Sequence, residues 1–326
     1  MATAVGRPGA ILALIASCLF FGVNFPLIKS LLQAQAEVSG YDLIWITTQN
    51  LAVRFTLAAA VLAPVVLLLL RRWPQRRDWE QGGIIAAAAG SGLVLQLGAL
   101  NYTGASTVGF LTQFYVVIVP LVTVVLARRL PPRALVGCIL LVLAGVALLA
   151  GVSPGNLRLG TGEAMALAAS CLFTVHILAL EAPRYAGNSG LQVTWVMFAG
   201  IALLTGVAAM LSGPGLAAVP GLYGSPGILG LQLVLVVVST ILPFFLMNHF
   251  QKRVSAAEAG VIYCSEAVFA AVASLFLPAL LAAPLGIAYA NELATPGMLV
   301  GGGLILAGCI LVQFVPASGY SAQKRL

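Results

Sequence analysis

Two long stretches of the chain, residues 81–127 and 185–251, contain no charged side chain. Each stretch is long enough for at least two membrane-spanning helices, because one span needs about 20 apolar residues. Over the whole 326 residues only 8% are charged and 61% are hydrophobic. A soluble domain of this length cannot cover its surface with so few charges. The sequence therefore predicts a membrane protein that crosses the lipid bilayer many times.

Charged residues and Gly/Pro-rich breaks divide the chain into apolar segments, each long enough for one span. We expect transmembrane helices at residues 10–32, 43–70, 82–100, 105–127, 133–151, 161–181, 191–211, 227–250, 257–280 and 296–316. Helices satisfy their backbone hydrogen bonds within the segment, as lipid requires. Strands of a barrel would alternate apolar and polar residues, whereas 65–70 is continuously apolar. We therefore predict an all-α membrane protein with ten transmembrane helices.

The basic residues indicate the orientation of this ten-helix arrangement. Thirteen of the sixteen fall on one side of it: Arg7, Arg71, Arg72, Arg76, Arg77, Arg128, Arg129, Arg133, Arg184, Lys252, Arg253, Lys324 and Arg325. Positive residues stay on the cytoplasmic side. We expect a multi-pass protein of the cell membrane, the inner membrane in a bacterium, with both termini cytoplasmic. The net charge of +7 follows from this bias and does not indicate a nucleic-acid partner.

The two halves of the chain share short sequence patterns in the same order. The pentapeptide Ala-Ser-Cys-Leu-Phe occurs at 16–20 and again at 169–173, residues 108–111 resemble 259–262, and residues 141–145 resemble 304–308. These pairs predict a duplication of five helices, with repeats at 1–155 and 156–326. Since five is odd, the repeats have opposite orientation, which is typical of secondary transporters. The alternative is that apolar helices resemble each other by composition alone.

Several motifs resemble the EamA-type members of the drug/metabolite transporter superfamily. They are Phe-Gly-Val-Asn-Phe-Pro at 21–26, Arg-Phe-Thr-Leu-Ala-Ala at 54–59, Ala-Leu-Asn-Tyr-Thr-Gly-Ala-Ser at 99–106, Gly-Phe-Leu-Thr at 109–112, Ser-Glu-Ala-Val at 265–268 and Gly-Leu-Ile-Leu-Ala-Gly at 303–308. The chain departs from the pattern at Ala267, where the family has proline, and at 127–129, where it often has Gly-Glu. The resemblance implies a ten-helix exporter or importer of small metabolites such as amino acids. The inverted repeats favour a secondary transporter that works by alternating access, and we expect it to be an exporter.

Two ionisable residues lie deep within predicted spans and are the main candidates for the transport site. Glu266 lies eight residues beyond Glu258, which is about 12 Å into the ninth span. Arg54 lies eleven residues into the second span, about 17 Å from its end. Charges at such depth are costly and usually functional. Arg54 either pairs with Glu266, binds a substrate carboxylate or extends to the outer interface. Glu266 either exchanges a proton or serves a structural hydrogen bond.

Polar residues in neighbouring spans complete the predicted substrate-binding set. The full set is Asn24, Arg54, Gln96, Gln113, Tyr115, His176, Tyr263 and Glu266. Asn24 precedes a proline that opens helix hydrogen bonds, and Tyr263 shares a helix face with Glu266. His176 is either a hydrogen-bonded structural residue or a proton carrier. We expect six of these residues to face one central, partly polar cavity: Asn24, Arg54, Gln96, Tyr115, Tyr263 and Glu266. The amides of the set either line this cavity or join helices by hydrogen bonds.

Other classes of function lack a supporting motif. No phosphate-binding loop, metal-ligand spacing or catalytic elbow is present, so we expect no cofactor, no metal and no enzymatic activity. The five cysteines all lie within predicted spans and are expected to pack as small apolar residues. A membrane-embedded lipid-modifying enzyme or a lipid flippase is the alternative. The sequence leaves the substrate, the direction, proton coupling and the oligomeric state open.

Overall fold

The computed structural model describes residues 6–69, 73–99, 102, 105–127, 130–149 and 160–315, and these form helices without any strand. The helices are α1 (Arg7–Ser39), α2 (Leu43–Pro64), α3 (Arg76–Ala99), α4 (Ala105–Thr112), α5 (Tyr115–Ala127), α6 (Arg133–Leu149), α7 (Thr161–Glu181), α8 (Gly190–Ser212), α9 (Val219–Leu222), α10 (Pro226–Val236), α11 (Leu242–Phe250), α12 (Ala256–Tyr263), α13 (Ser265–Ser274), α14 (Leu277–Leu285) and α15 (Pro296–Leu311). One π-helical turn, Val65–Leu69, extends α2, and another, Val237–Ile241, joins α10 to α11.

Every predicted span contains helix, so the all-α prediction is confirmed. Seven of the described helices are long and apolar enough to cross a membrane, and Arg133–Leu148 and Pro296–Leu311 are shorter apolar helices. The seven include the continuous stretches through the two π-helical turns. The number of ten spans stays a prediction.

The sequence predicted one continuous helix for the fourth span, at 105–127. The structure instead has a break between α4 and α5. The Thr112 hydroxyl donates a hydrogen bond to the Val108 carbonyl at 2.8 Å and to the Gly109 carbonyl at 3.1 Å. A threonine that bonds back to the preceding turn competes with the helical backbone. The helix ends at Thr112 and resumes at Tyr115.

The ninth predicted span is also interrupted, and residues 257–280 belong to three helices, α12, α13 and α14. The Cys264 thiol donates to the Gly260 carbonyl at 3.4 Å at the first break. The second break lies at Leu275 and Phe276, and Pro278 lies in the first turn of α14, a position that tolerates the missing N–H of proline. Gly109 and Gly260 are each the fifth residue of an eight-residue helix, α4 and α12. This shared position is what a duplication would produce.

Basic and acidic residues from several helix ends meet at one end of the bundle, which we call the basic end. Arg7 pairs with Glu258 at 2.6 Å, and Arg184 pairs with Glu80 at 2.5 Å. The Lys252 ammonium donates to the Asn188 carbonyl at 3.0 Å. All of these residues lie in segments that the sequence places on one side. The side of the membrane that this end faces stays a prediction.

Aromatic and aliphatic residues close the opposite end. Trp45 and Ile46 of α2 are fully buried against Ala209 of α8 and Leu222 of α9. The Tyr41 ring lies 4.9 Å from the Trp45 ring in an edge-on contact. These contacts join the first turn of α2 to the end of α8 and the short helix that follows it.

The main helix contacts run between the two halves of the chain rather than within them. α2 packs along α8, α6 along α15, and α3 along α7 and α8, while α1 packs on α11 and α13. Helix α3 of the first half packs on α7, the first helix of the second half. Helix α11 of the second half packs on α1, the first helix of the first half, which is the equivalent contact under the proposed duplication. The interface between the halves therefore contains α1, α2 and the helices of the second half that surround them.

Candidate functional site

Helix α1 presents two different faces to its neighbours. A Cβ atom on Gly22 would lie 2.6 Å from the Phe269 Cβ and 2.8 Å from the Glu266 carbonyl, so this face touches α13 directly. Asn24 lies two residues further, about 200° around the helix. Its side-chain oxygen accepts a hydrogen bond from Arg54 Nη1 of α2 at 3.1 Å. The two candidate charges, Arg54 and Glu266, thus adjoin different faces of α1.

Arg54 is buried in the bundle, with only 2% of its surface exposed. Its guanidinium lies 5.4 Å from the Phe55 ring, and its Nε atom has no hydrogen-bond partner among the described residues. The described ion pairs do not include one between Arg54 and Glu266. Two of the three sequence-based alternatives for Arg54, pairing with Glu266 and extending to the interface, are therefore wrong. Binding of a substrate carboxylate stays a prediction.

Glu266 is half-buried at the start of α13. Within the described part of the chain its carboxylate forms no hydrogen bond or ion pair. Tyr115, Cys18 and Cys264 lie close enough to interact with it electrostatically. The structural hydrogen bond that the sequence left open for Glu266 is not formed with any described residue, which leaves proton exchange or solute binding as its predicted role.

The two candidate tyrosines have their hydroxyl groups engaged elsewhere. Tyr115 donates to Gln113 Oε1 at 2.7 Å, across the break between α4 and α5. Tyr263 donates to Gln251 Oε1 at 2.7 Å. It ends α12, and the break at Cys264 separates it from Glu266 of α13, so the two residues do not share one continuous helix as the sequence predicted. Both tyrosines are buried. Their hydrogen bonds hold residues at helix breaks, and their predicted contact with substrate is untested.

The remaining candidates also form local pairs. Gln96 donates to the Thr112 hydroxyl at 3.4 Å and links α3 to α4. His176 Nε2 lies 3.2 Å from the side-chain oxygen of Asn248, whose amide nitrogen donates to the Thr194 hydroxyl at 3.1 Å. His176 is buried, and these contacts are those of a structural histidine. The structure thus brings together Asn24 with Arg54 and Gln113 with Tyr115. The central cavity expected for six of the candidates stays a prediction.

An aromatic layer lies between Arg54 and the basic end. Phe55 and Phe244 have ring centroids 5.9 Å apart, and Phe198 lies 5.6 Å from Phe55 and 6.0 Å from Phe244. Phe21 of α1 contacts Phe244 at 4.9 Å. This apolar packing separates the surroundings of Arg54 from the polar contacts at the basic end.

Sequence reasoning missed a group of polar residues on the other side of Arg54. We call this group, Gln35, Gln49, Asn50, Tyr223 and Gln232, the amide cluster. Gln49 donates to Gln35 at 3.2 Å, Tyr223 donates to Gln49 at 3.3 Å, and Asn50 donates to Gln232 at 3.1 Å. The four amide residues are fully buried and Tyr223 is half-buried. One sequence signal could have indicated this group: Asn50 and Arg54 are four residues apart and therefore lie on one face of α2.

Comparison with known proteins relates the chain to transporters. The EamA-like transporter family matches residues 8–151. An uncharacterized transporter of Archaeoglobus fulgidus is 26% identical over 96% of this chain and 88% of its own length. A solved protein crystal structure superposes with a TM-score of 0.69 and 16% identity, covering 95% of this chain and 98% of the other. That likeness concerns the fold alone.

Proposed function

We propose that the chain is a secondary active exporter of small metabolites such as amino acids, because the EamA-like transporter family matches residues 8–151. The family match and the apolar helices support a multi-pass membrane transporter. Its substrate class, direction and alternating-access mechanism are the proposal. Its location in the cell membrane with cytoplasmic termini is part of the same proposal.

The observation that carries the proposal is the pair of charged residues on either face of α1. Arg54 is buried, and Glu266 has no ion-pair partner among the described residues. Charged groups inside a helical membrane bundle are costly and mark solute or proton pathways. Because α1 packs against both α2 and helices of the second half, a movement of the halves would change the surroundings of both charges.

The contacts at the basic end support alternating access between the proposed repeats, 1–155 and 156–326. Arg7 and Glu80 belong to the first repeat, and their partners Glu258 and Arg184 belong to the second. A path that opens toward the basic end requires these pairs to separate. The Arg184–Glu80 pair is exposed, and an exposed ion pair contributes only about 0–1 kcal/mol. Contacts of this strength can hold one state without preventing the change to the other.

Glu266 is proposed to couple transport to protons. We expect Glu266→Gln to lower amino-acid flux driven by an imposed pH gradient by about tenfold or more, since the amide cannot bind or release a proton as an intramembrane carboxylate of a proton relay does. Flux would be measured with radiolabelled amino acids in proteoliposomes. Glu292→Gln, which alters an exposed carboxylate, is the matched control and should keep the wild-type rate. Equal rates and equal pH dependence for Glu266→Gln and wild type would disprove the coupling role.

A further inference from the structure

The amide cluster adjoins Arg54 and spans three helices and a connecting segment. Asn50 lies one helical turn from Arg54 on the same face of α2, and Gln232 reaches it from α10. Gln35 of α1 contributes a further amide through Gln49. Tyr223, from the segment between α9 and α10, donates to Gln49 and lies near Gln35, Asn50 and Arg54. The group therefore lies at the interface of the two halves.

The cluster contains more hydrogen-bonding capacity than it uses. Gln35 Nε2, Asn50 Oδ1, Arg54 Nε and Gln232 Nε2 are buried and have no hydrogen-bond partner among the described residues. Three of these atoms are donors and one is an acceptor. Exchanging the two ends of both the Asn50 and Gln232 amides would again leave one donor and one acceptor. Buried polar groups without partners are rare, because each costs about 1–3 kcal/mol.

The polar character of this group is not a requirement of the helix packing around it. Helix α8 packs along α2, and we compare the two helices by counting from their first residues. The positions of Gln49, Asn50 and Arg54 in α2 then correspond to Val196, Met197 and Ile201 in α8, which are apolar and buried. Because the start of α2 packs on the end of α8, the two helices run in opposite directions, and these positions lie at equal distances from opposite ends of the bundle. Apolar side chains fill the positions in α8, and a role in binding explains why those in α2 are polar.

We propose that Arg54 and the amide cluster form a binding subsite for a small solute that carries an anionic oxygen beside a hydrogen-bond donor. The anionic group would accept hydrogen bonds from Arg54 and Gln232, and the neighbouring donor would bond to Asn50 Oδ1. An α-amino carboxylate and an α-hydroxy carboxylate both have this arrangement. The proposal names the substrate chemistry of the transport function proposed above and rests on it.

Tyr223 completes the subsite on the side away from the basic end. Burial raises the pKa of the Tyr223 hydroxyl above its ordinary value, so the hydroxyl stays protonated at neutral pH and donates to Gln49. Leu222, the residue before it, belongs to the apolar contacts that close this end of the bundle. A solute that enters from this end would therefore meet Tyr223 and the amides before it reaches Arg54.

Ligand-dependent thermal stability of the purified full-length protein tests the subsite. The probes are L-alanine, L-lactate, propionate and ethylamine, and the larger set L-phenylalanine, phenyllactate, 3-phenylpropionate and phenethylamine. We expect an amino acid or a hydroxy acid of one set to raise the Tm more than the compounds with only one of the two groups. If the amino acid raises the Tm more, the hydrogen-bond donor of the solute is an ammonium group. If the hydroxy acid raises it more, the donor is a hydroxyl group. Absence of any such selectivity in both sets would overturn the proposal.

The double variant Asn50→Leu/Gln232→Leu locates the effect. Replacing both partners of a hydrogen bond by apolar groups is nearly neutral for folding, so the Tm without probe should stay close to wild type. The affinity for the selected probe should fall about tenfold or more. Gln251→Leu is the matched control, because Gln251 donates to Ile177 and accepts from Tyr263. It should lower the Tm without probe and leave the affinity unchanged.

Two results separate this inference from the transport function. If the folded double variant keeps the wild-type affinity and selectivity, the amides serve only to join helices and the subsite is refuted. Unchanged KM for flux in proteoliposomes would lead to the same conclusion while transport itself stands. If the probes bind in a cluster-dependent manner but the wild type catalyses no flux, the subsite stands and the proposed transport function fails.

Discussion

Substitution of Arg54 by methionine is expected to lower solute flux about 100-fold, because loss of one member of a buried charged contact costs several kcal/mol. Methionine preserves an unbranched chain and helix propensity. Arg54 forms no ion pair with described residues, so its replacement leaves no buried countercharge. The variant should fold with a Tm close to wild type. Flux in proteoliposomes and the Tm of the same preparation provide the measurement.

Two further variants make this expectation specific. Arg54→Lys keeps the charge but lacks the planar donor pair that matches a carboxylate, and we expect flux between that of wild type and Arg54→Met. Arg253→Met removes an exposed cation at the basic end and should change flux little. Full activity of a folded Arg54→Met protein would show that Arg54 does not bind the solute.

A substitution of Gly145 by leucine is expected to have the largest effect on folding. A Cβ atom at this position of α6 would lie 2.7 Å from the Gly301 carbonyl and 2.9 Å from the Ile305 backbone nitrogen of α15. Backbone atoms cannot move aside as a side chain can, and small residues allow membrane helices to approach this closely. We expect a loss of at least about 1–3 kcal/mol, measured as a lower Tm and a lower yield of folded protein.

Gly137 of α6 provides the control, since a Cβ atom there would meet nothing within 4 Å. Gly137→Leu should keep the wild-type Tm and yield. If both glycine variants were equally stable, the close contact of α6 with α15 would not contribute to the fold.

The apolar runs of the sequence were enough to predict where helices form but not where they break. The interruptions at residues 113–114 and at Cys264 involve no proline at the joint. They coincide with side chains of Thr112 and Cys264 that bond to preceding carbonyls. Whether such a side chain bonds to its own helix depends on what packs around it, and hydropathy contains no information on that packing.

The site was only partly accessible from sequence. Depth within its span singled out Arg54, and the proline that follows it singled out Asn24. The two side chains are in contact, and their role in binding stays a prediction. The depth of Glu266 in its span did not reveal that it adjoins the face of α1 opposite to the one that contacts Arg54. The amide cluster was missed because its glutamines are isolated within three apolar segments and meet only when α1, α2 and α10 pack together.

Counterflow of radiolabelled amino acids and their α-hydroxy acid counterparts into proteoliposomes tests the central claim most directly. A secondary transporter exchanges solute without ATP, so vesicles loaded with unlabelled solute should take up the labelled form faster than unloaded vesicles. We expect this acceleration for at least one of these solutes, and its loss in Arg54→Met. Uptake equal to that of protein-free vesicles for every solute, with folded protein present, would contradict the account.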